Sequence, residues 1–303
     1  MIEPLLRDDA FLADVSAQAK REDDHFDLWW LGQSGYLLQW QGHRLLLDPY
    51  LSDSLTEKYA TTDKPHVRMT ARVIAPERFS GIEAVTASHV HTDHLDPQTL
   101  QPLVSKNPGI QLICPEAIRG PARDRSGLSD PAVTGLDAPN PGTEIGTTFS
   151  APTRTQVGPF QFEAVPAAHE RLDRDHAGHL IALGFVIRFG RWAVYHSGDT
   201  LLYPGMEERL RREQVDLALL PINGRRPERR VSGNLWGREA AALAHSIGAR
   251  CVIPGHYELF EFNTESPVEF IETCHVLGQH HAVLRAGERW SSESLPAADP
   301  RGA

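Results

Sequence analysis

The chain opens on an amphipathic pattern and then turns to short apolar runs. Residues 4–24 space their apolar side chains for one face, which predicts a charge-rich N-terminal helix. Apolar runs follow at residues 26–31, 36–40 and 43–48, separated by turns that contain glycine. Short runs bounded by turn residues predict strands joined as hairpins. We therefore expect one helix followed by a small antiparallel unit.

The middle of the chain alternates strands with helices. Residues 51–80 are polar and lack periodicity, and a loop of that length inside a compact domain is usually functional or disordered. An apolar run at 82–88 predicts a strand, and Asp96 before a proline predicts the start of a helix. A short strand at 110–114 and a helix within 115–127 are expected next.

The second half repeats this alternation. Residues 130–165 are rich in turns and short strands, with Gly142 and Gly146 among the turn residues. Later strands are predicted at 180–189, 192–196, 216–221 and 250–254, and helices at about 205–213 and 237–247. Early hairpins and late strand–helix pairs predict two mixed sheets with helices outside, an α/β fold of the α+β type. We expect one domain spanning residues 1–303, with residues 1–24 as a helical extension.

Composition and charge narrow the class of protein. The 303 residues are 41% hydrophobic and 23% charged, with a formal net charge of −10. The acidic balance disfavours a protein that grips nucleic acid or an anionic membrane by long-range attraction. No apolar segment reaches the 18 residues of a membrane span, and the N-terminus lacks signal-peptide features. We expect a cytoplasmic protein, and the sequence leaves homo-oligomers open.

The cysteines give no sign of a disulfide framework, because three is an odd number in a long chain. Cys114 and Cys251 lie within apolar runs that predict buried strands, and Cys274 is the third. Buried cysteine behaves as a small hydrophobic residue. We therefore expect core thiols rather than metal ligands.

Candidate chemistry concentrates in six residues that follow the predicted strand at 82–88. His89, His91, Asp93 and His94 put three imidazoles and one carboxylate into a tight turn. Imidazole and carboxylate together suit zinc, manganese or iron. Alternate residues of an extended chain point the same way, so His89 and His91 can face one ion. Asp93 and His94 can then reach round the turn toward a second ion.

Three more residues of ligand type follow predicted strands elsewhere in the chain. His169, Asp199 and His256 each stand just after an apolar run. Strand ends on one side of stacked sheets converge in space although they are distant in sequence. Each residue alone is compatible with an ordinary polar side chain, but four strand ends in this order indicate one shared site.

In these motifs the chain resembles the metallo-β-lactamase superfamily, from the hairpin at Trp29 and Trp30 to His256. The resemblance implies an αββα sandwich of two mixed sheets flanked by helices, with a binuclear metal site at one edge. It implies two divalent ions, zinc or manganese with iron also possible, held by seven side chains: His89, His91 and His169 for one, Asp93, His94 and His256 for the other, and Asp199 between them.

Within the superfamily the chain is similar to the ascorbate-6-phosphate lactonase-like group. The segments 27–36, 195–200 and 253–257 carry this likeness. It implies metal-dependent hydrolysis of a lactone or ester, most simply of a small, acidic or phosphorylated sugar-type substrate. Phospholipase-D-like phosphodiesterases also belong to this group, so that activity stays open. A non-catalytic metal-binding regulator is the third interpretation, and the complete ligand set argues against it. Lactonase members can carry an acidic residue where this chain has His169, which leaves metal and substrate undetermined.

Other candidates surround the predicted ligands. Asp93 or Asp199 can return a proton to the leaving oxygen after attack by metal-activated water, which makes both candidate catalytic residues. Asp48 ends a predicted buried strand and is a candidate partner for a metal-bound imidazole, with a turn cap as the equal alternative. His196 is a candidate either for substrate contact or for hydrogen-bonding support.

One basic concentration interrupts the acidic chain. Arg225, Arg226, Arg229 and Arg230 follow a predicted strand on the side of the sheet where ligands are expected. Guanidinium groups bind phosphate or carboxylate bidentately, so Arg225 and Arg226 are candidate substrate contacts. An exposed loop or a subunit contact is the alternative.

Overall fold

Two mixed β-sheets form the centre of the protein in the computed structural model, which describes residues 1–21, 23–139 and 153–296. The turns predicted at Gly142 and Gly146 lie outside these residues. The first sheet contains seven strands: β1 (Phe26–Gly32), β2 (Gly35–Trp40), β3 (His43–Leu47), β4 (Ala84–Thr86), β5 (Gln111–Pro115), β6 (Val133–Leu136) and β13 (Arg289–Ser291).

The second sheet and the helices complete the elements of the described residues. Its six strands are β7 (Arg154–Val157), β8 (Phe160–Pro166), β9 (Leu183–Phe189), β10 (Trp192–His196), β11 (Leu217–Pro221) and β12 (Cys251–Gly255). The α-helices are α1 (Asp8–Gln18), α2 (Ser54–Tyr59), α3 (Pro97–Lys106), α4 (Arg119–Ser126), α5 (Met206–Arg212), α6 (Gly237–Ser246) and α7 (Val268–Leu277).

Each sheet changes from antiparallel to parallel pairing along its width. The strand order is β13-β1-β2-β3-β4-β5-β6 in the first sheet and β12-β11-β10-β9-β8-β7 in the second. The hairpins β1-β2-β3 and β7-β8-β9-β10 are antiparallel, whereas β3 to β6 and β10 to β12 pair in parallel. Helix α4 packs on β5 and β6 of the first sheet and contacts α3, and helix α6 packs on β11 and β12 of the second sheet and contacts α7. The predicted fold of two mixed sheets with helices outside is confirmed.

Aromatic side chains join the sheets across the core. Phe26 of β1 meets Phe189 of β9 edge to face, with ring centroids 5.2 Å apart, and contacts Trp192 of β10 at 5.4 Å. The hydroxyl of Tyr36 donates to the carbonyl of Pro254 at 3.1 Å. Strands β1, β9, β10, β11 and β12 bury nearly every residue, because both faces of their sheets are covered.

The N-terminal helix is shorter than the predicted span of residues 4–24. Helix α1 begins at Asp8, and the preceding residues bond to distant segments: Ile2 forms a β-bridge with Thr70, and Leu5 N–H donates to the carbonyl of Ala286 at 2.7 Å. Those backbone bonds hold the first residues outside the helix, so Leu5 remains 45% exposed. Phe11 and Val15 lie on the buried face as the pattern predicts.

The polar segment at 51–80 contains more structure than its sequence predicts. Helix α2 lies within it, and the 3₁₀ turn Pro76–Arg78 follows. Helix α2 has six residues, too few for a helical period to stand out. The sequence pattern also does not predict strand β13, which has three residues and pairs with β1. Helix α7 is a further element that the pattern does not predict.

Burial agrees with the expectation for the cysteines: Cys114 in β5, Cys251 in β12 and Cys274 in α7 are buried free thiols. Among the described residues, no helix combines the length and apolar character needed to cross a bilayer.

Two glycine substitutions compare a tightly packed position in the second sheet with an open position in helix α4. A Cβ on Gly184 in β9 would lie 2.9 Å from the carbonyl oxygens of both His196 and Ser197. Gly184→Ala should therefore lower the free energy of unfolding by about 1–3 kcal/mol, as overpacking usually does. Gly120 in α4 has no atom within 4 Å of the corresponding position. Gly120→Ala should raise stability by about 0.4–1 kcal/mol, since alanine restricts the unfolded chain. Denaturant unfolding measures both, and equal stability of the two variants would contradict the packing.

Candidate metal centre

The predicted ligands follow four strands that end at the same edge of the two sheets. The segment 89–94 follows β4, and His169 follows β8 of the second sheet. Asp199 and His256 come directly after β10 and β12. Because these strands end side by side, residues more than 160 positions apart in sequence reach one site.

Backbone hydrogen bonds fix the turn that carries the first four predicted ligands. The N–H groups of His94 and Leu95 both donate to the carbonyl of His91, at 3.1 and 2.8 Å. Arg125 then donates to the carbonyls of Val90 and Leu95, at 2.6 and 3.3 Å. The turn is therefore held at both ends by donors that do not belong to the ligand set.

Gly198 brings the second sheet against this turn. Its φ is +58°, and a Cβ there would lie 2.4 Å from Cβ of Ser88. Leu183 N–H also donates to the carbonyl of Ser88 at 3.0 Å. Only glycine allows this approach, which sets Asp199 beside the histidines of the first sheet.

The donor atoms of the seven predicted ligands fall into overlapping groups. In each group, one ligand atom per residue lies within 4.8 Å of the others. The groups are His89, His91 and His169; Asp93, His94 and His256; and His89, His94 and Asp199. The third group takes one histidine from each of the others, so Asp199 lies between them.

Individual distances describe a tight cluster. His169 Nε2 lies 3.1 Å from His91 Nδ1. The carboxylate of Asp199 lies 3.3 Å from His94 Nε2 through one oxygen and 3.2 Å from His256 Nε2 through the other. Asp93 Oδ2 lies 3.7 and 3.6 Å from the same two nitrogens. Two carboxylates therefore converge on a pair of imidazoles.

The buried nitrogens of this cluster fit a divalent cation. Nε2 of His89 is buried without a hydrogen-bond partner among the described residues, and Nε2 of His94 faces the carboxylates of Asp199 and Asp93 without forming a hydrogen bond of good geometry. Buried polar atoms in native proteins are nearly always paired, so orphans need an explanation. Neutral imidazole and carboxylate are the donors that zinc, manganese and iron accept, and the site supplies both.

The electrostatics of the cluster differ from one side to the other. Burial lowers the pKa of His169 to about 4 and lowers that of His89 well below its ordinary value, so both keep a free lone pair at neutral pH. Burial also opposes a charge on His94, but Asp199 and Asp93 outweigh it and raise its pKa well above the ordinary value. The neighbourhood of the two carboxylates thus favours positive charge, which a metal ion also supplies.

Asp48 lies beneath the cluster and is fully buried. Its Oδ2 accepts a hydrogen bond from His94 Nδ1 at 2.7 Å, and its Oδ1 accepts one from the hydroxyl of Thr86 at 2.7 Å. Ser88 donates to it through both its backbone N–H and its hydroxyl. Burial alone would raise the pKa of Asp48, but the hydrogen bonds from His94 and Ser88, together with the charges of His196 and His94, outweigh burial and lower it. An ionised Asp48 directs Nε2 of His94 into the cluster.

Gln33 also contacts the cluster, although its sequence context indicates only a turn between two strands. Its side-chain N–H donates to Asp93 Oδ2 at 2.7 Å and lies 3.0 Å from His256 Nε2. Its backbone carbonyl accepts hydrogen bonds from the backbone N–H of His256 at 2.8 Å and from the indole N–H of Trp30 at 3.0 Å. The available signal was a polar amide in a tight turn between apolar strands.

Three residues of the site carry left-handed backbone. The φ angles of Gln33, Asp48 and His256 are +51°, +36° and +60°. Such conformations cost non-glycine residues about 1–3 kcal/mol each and persist only where the surroundings impose them. They concentrate at the two turns and the strand end that aim side chains at the cluster.

The other predicted contacts lie away from the cluster. His196 is buried, and its Nε2 lies 3.1 Å from the carbonyl of Ser34, so it supports the turn that carries Gln33. Arg225 pairs with Glu239 at 2.7 Å, and Arg226 pairs with Glu265 at 2.6 Å. None of the three lines the cavity that opens above the predicted ligands.

That cavity has a volume of about 490 Å³. The predicted ligands His91, Asp93, His169, Asp199 and His256 line it. The remaining wall comes from α2, from the turn that carries the first ligands, from Arg125 of α4, from the chain near residue 66, and from two loops around residues 230 and 260. A small organic molecule fits this volume, which is within the usual range of ligand pockets.

Comparison with known proteins identifies the family. A family model described as the beta-lactamase superfamily domain matches residues 43–257, which contain all seven predicted ligands. The chain belongs to the metallo-β-lactamase superfamily. The family predicted from the histidine motif is thereby confirmed.

Two relatives and one solved structure are similar to this chain over most of its length. A protein named metal-dependent hydrolase from Caldivirga maquilingensis is 26% identical over 251 residues, which is 83% of this chain and 90% of its own. One of the same name from Aeropyrum pernix is 27% identical and covers 87% and 96%. An isothiocyanate hydrolase from Delia radicum gut bacteria superposes with a TM-score of 0.66 at 17% identity, over 87% of this chain and 98% of that one. That structure is similar in fold.

Removing the charge beneath the cluster tests the role of Asp48. Asp48→Asn should weaken zinc or manganese binding roughly tenfold, since partners of ligating histidines tune metal affinity by 10–100-fold. Isothermal titration calorimetry measures the affinity. Asp27→Asn is the control, because Asp27 is also a buried carboxylate but pairs with Arg289 at 2.8 Å, away from the ligands. Equal metal affinity in both variants would rule out the positioning role.

Proposed function

We propose that this protein is a metal-dependent hydrolase in which two divalent ions, zinc, manganese or iron, activate water at the cavity floor. The observation that carries the proposal is the convergence of seven imidazole and carboxylate side chains, with orphaned buried nitrogens, beneath an open cavity. The name metal-dependent hydrolase of the two relatives supports it.

In this proposal the ligand set divides between two positions. His89, His91 and His169 hold one ion, and Asp93, His94 and His256 hold the other, with Asp199 between them. A divalent cation bound there would lower the pKa of a coordinated water to about 7 and polarise a substrate oxygen.

The chain's own side chains then orient the reactants and carry the proton. Asp48 orients His94, and Gln33 orients Asp93 through its side-chain amide and His256 through its backbone carbonyl. Asp93 is the better placed to return a proton to the leaving oxygen, because its side chain is 17% exposed and that of Asp199 is 5% exposed.

The proposed substrate is a lactone or ester of small size. The cavity volume suits such a molecule. A phosphodiester is the second candidate, and one observation favours it: Lys58, Arg125 and Arg230 line the cavity and would attract a phosphate.

Metal removal tests the dependence on ions. Dialysis against a chelator should abolish hydrolysis, because water at neutral pH is then no longer activated. Adding back zinc, manganese or iron(II) singly should restore activity and identify the metal. Elemental analysis of the same samples gives the number of ions per chain. Full activity in metal-free protein would overturn the proposal.

Two substitutions test the ligand set. His91→Ala and Asp199→Ala should remove metal and reduce turnover by at least about 10³-fold, since each takes a donor from the cluster. Rates on a panel of lactones and on bis-p-nitrophenyl phosphate separate the two substrate classes. His43→Ala is the control, because His43 lies at the start of β3 and pairs with Glu83 at 2.7 Å. Retained metal and turnover in Asp199→Ala would contradict the assignment.

A further inference from the structure

The cavity wall above the predicted ligands carries only positive charge. Outside the ligand set, its charged side chains among the described residues are Lys58, Arg125 and Arg230. The acidic residues that line it, Asp93 and Asp199, belong to the ligand set. A cationic wall in a chain of formal charge −10 is a local reversal, and it raises the concentration of anions at the cavity.

Arg230 is the arginine of the basic loop that reaches this wall. Arg225 and Arg226 are held by Glu239 and Glu265, and Arg229 is buried against the carbonyls of Asn223 and Thr264. These contacts fix the loop. Arg230 follows with φ +52° and lines the cavity.

The partner of Arg230 is easily displaced. Its guanidinium pairs with Asp63 at 2.8 Å, and the two side chains are 59% and 75% exposed. Exposed ion pairs contribute little to stability because water screens them. An anionic ligand in the cavity can therefore replace Asp63. Lys58 adds a second cation from α2, with its ammonium 5.1 Å from the centre of the Tyr59 ring.

Aromatic rings form the adjoining part of the wall. Tyr59 and His66 stack with centroids 4.1 Å apart and planes 16° apart. His66 also contacts Phe262 at 4.4 Å and Phe260 at 5.4 Å. All four rings line the cavity. Phe260 also belongs to a small apolar cluster with Leu55, and Tyr59 and Phe262 pack against that cluster. The rings are thus packed in place before any ligand arrives.

We propose that the anion wall, formed by Lys58, Arg230, Tyr59 and Phe262, binds the non-reacting part of the substrate. That part is a flat apolar group, best an aromatic ring, which ends in a carboxylate or phosphate. The ring contacts Tyr59 and Phe262 beside the groups that already lie over them, His66 and Lys58 on Tyr59 and Lys64 on Phe262. Its anionic end pairs with Arg230 and Lys58. The inference rests on the proposed function only in placing the reacting end at the predicted ligands.

Binding of non-hydrolysable probes to the metal-loaded protein tests the charge preference. Isothermal titration calorimetry compares terephthalate with 4-methylbenzoate, and biphenyl-4,4′-dicarboxylate with its 4′-methyl monoacid. In each pair the first acid should bind about fivefold tighter, the size of an exposed ion-pair effect. 4-Phosphonobenzoate replaces terephthalate to distinguish a phosphate-like end from a carboxylate. Equal affinity of the acids and their methyl analogues would overturn the proposal.

Matched variants locate the effect. Arg230→Gln should remove the advantage of the diacids and leave the monoacids unchanged. Arg226→Gln changes an arginine of the same loop that lies outside the cavity, and it should leave both unchanged. Asp63→Asn should tighten diacid binding by freeing Arg230. If Arg226→Gln lost the diacid preference to the same extent as Arg230→Gln, a specific contact between Arg230 and the anionic end would be refuted. Metal content and circular dichroism identify misfolded variants.

The aromatic part of the wall has its own comparison. Terephthalate should bind tighter than trans-cyclohexane-1,4-dicarboxylate, which has the same charges on a puckered ring. Phe262→Leu should reduce that preference, since a flat ring loses an aromatic contact. Equal affinity of the unaltered protein for the two diacids would exclude a specific contact of the ligand ring with Tyr59 and Phe262.

Hydrolysis measured in the same samples separates this inference from the proposed function. Preference for the diacids in a protein that hydrolyses no lactone, ester or phosphodiester would overturn the function and leave the anion wall intact. Hydrolysis with no preference for anionic or aromatic ligands would overturn the anion wall alone.

Discussion

The contact between Gly198 and Ser88 is the constraint on which the site depends. A side chain at Gly198 would overlap Ser88, so the second sheet can approach the first only because glycine stands there. Ser88 in turn donates to Asp48, which holds His94. One close approach thus joins the strand end that carries Asp199 to the buried carboxylate that orients a histidine of the other sheet. A buried polar network of this kind is rigid only when each member is paired.

Charge in this protein is organised locally. Burial keeps His89 and His169 neutral, whereas the carboxylates of Asp199 and Asp93 favour a positive charge on His94. Above them the cavity wall is cationic, although the formal charge of the whole chain is −10. Net charge describes the surface seen from a distance, and the field at a cleft depends on the few side chains that line it. An acidic chain can therefore present a site suited to anions.

Much of the fold was predictable, because strand and turn patterns mark most of the strands that carry ligands. The segment 89–94 is a local feature, so its sequence alone predicts a metal site. Of the three elements that escaped prediction, α2 and β13 share a reason: α2 has six residues and β13 has three, lengths at which periodicity carries no information. Both are stabilised by contacts with residues distant in the chain.

The sequence by itself determined the residue types of the predicted ligands, their positions after strands and the presence of four arginines in one loop. Tertiary structure decided which of these residues share a site. Arg225 and Arg226 are held by glutamates of distant segments, so Arg230 is the one that lines the cavity. Gln33 contacts Asp93 and His256 only because the turn after β1 of the first sheet meets the end of β12 of the second sheet. The physical reason is that a hydrogen bond or ion pair depends on separation in space, which local sequence patterns do not encode.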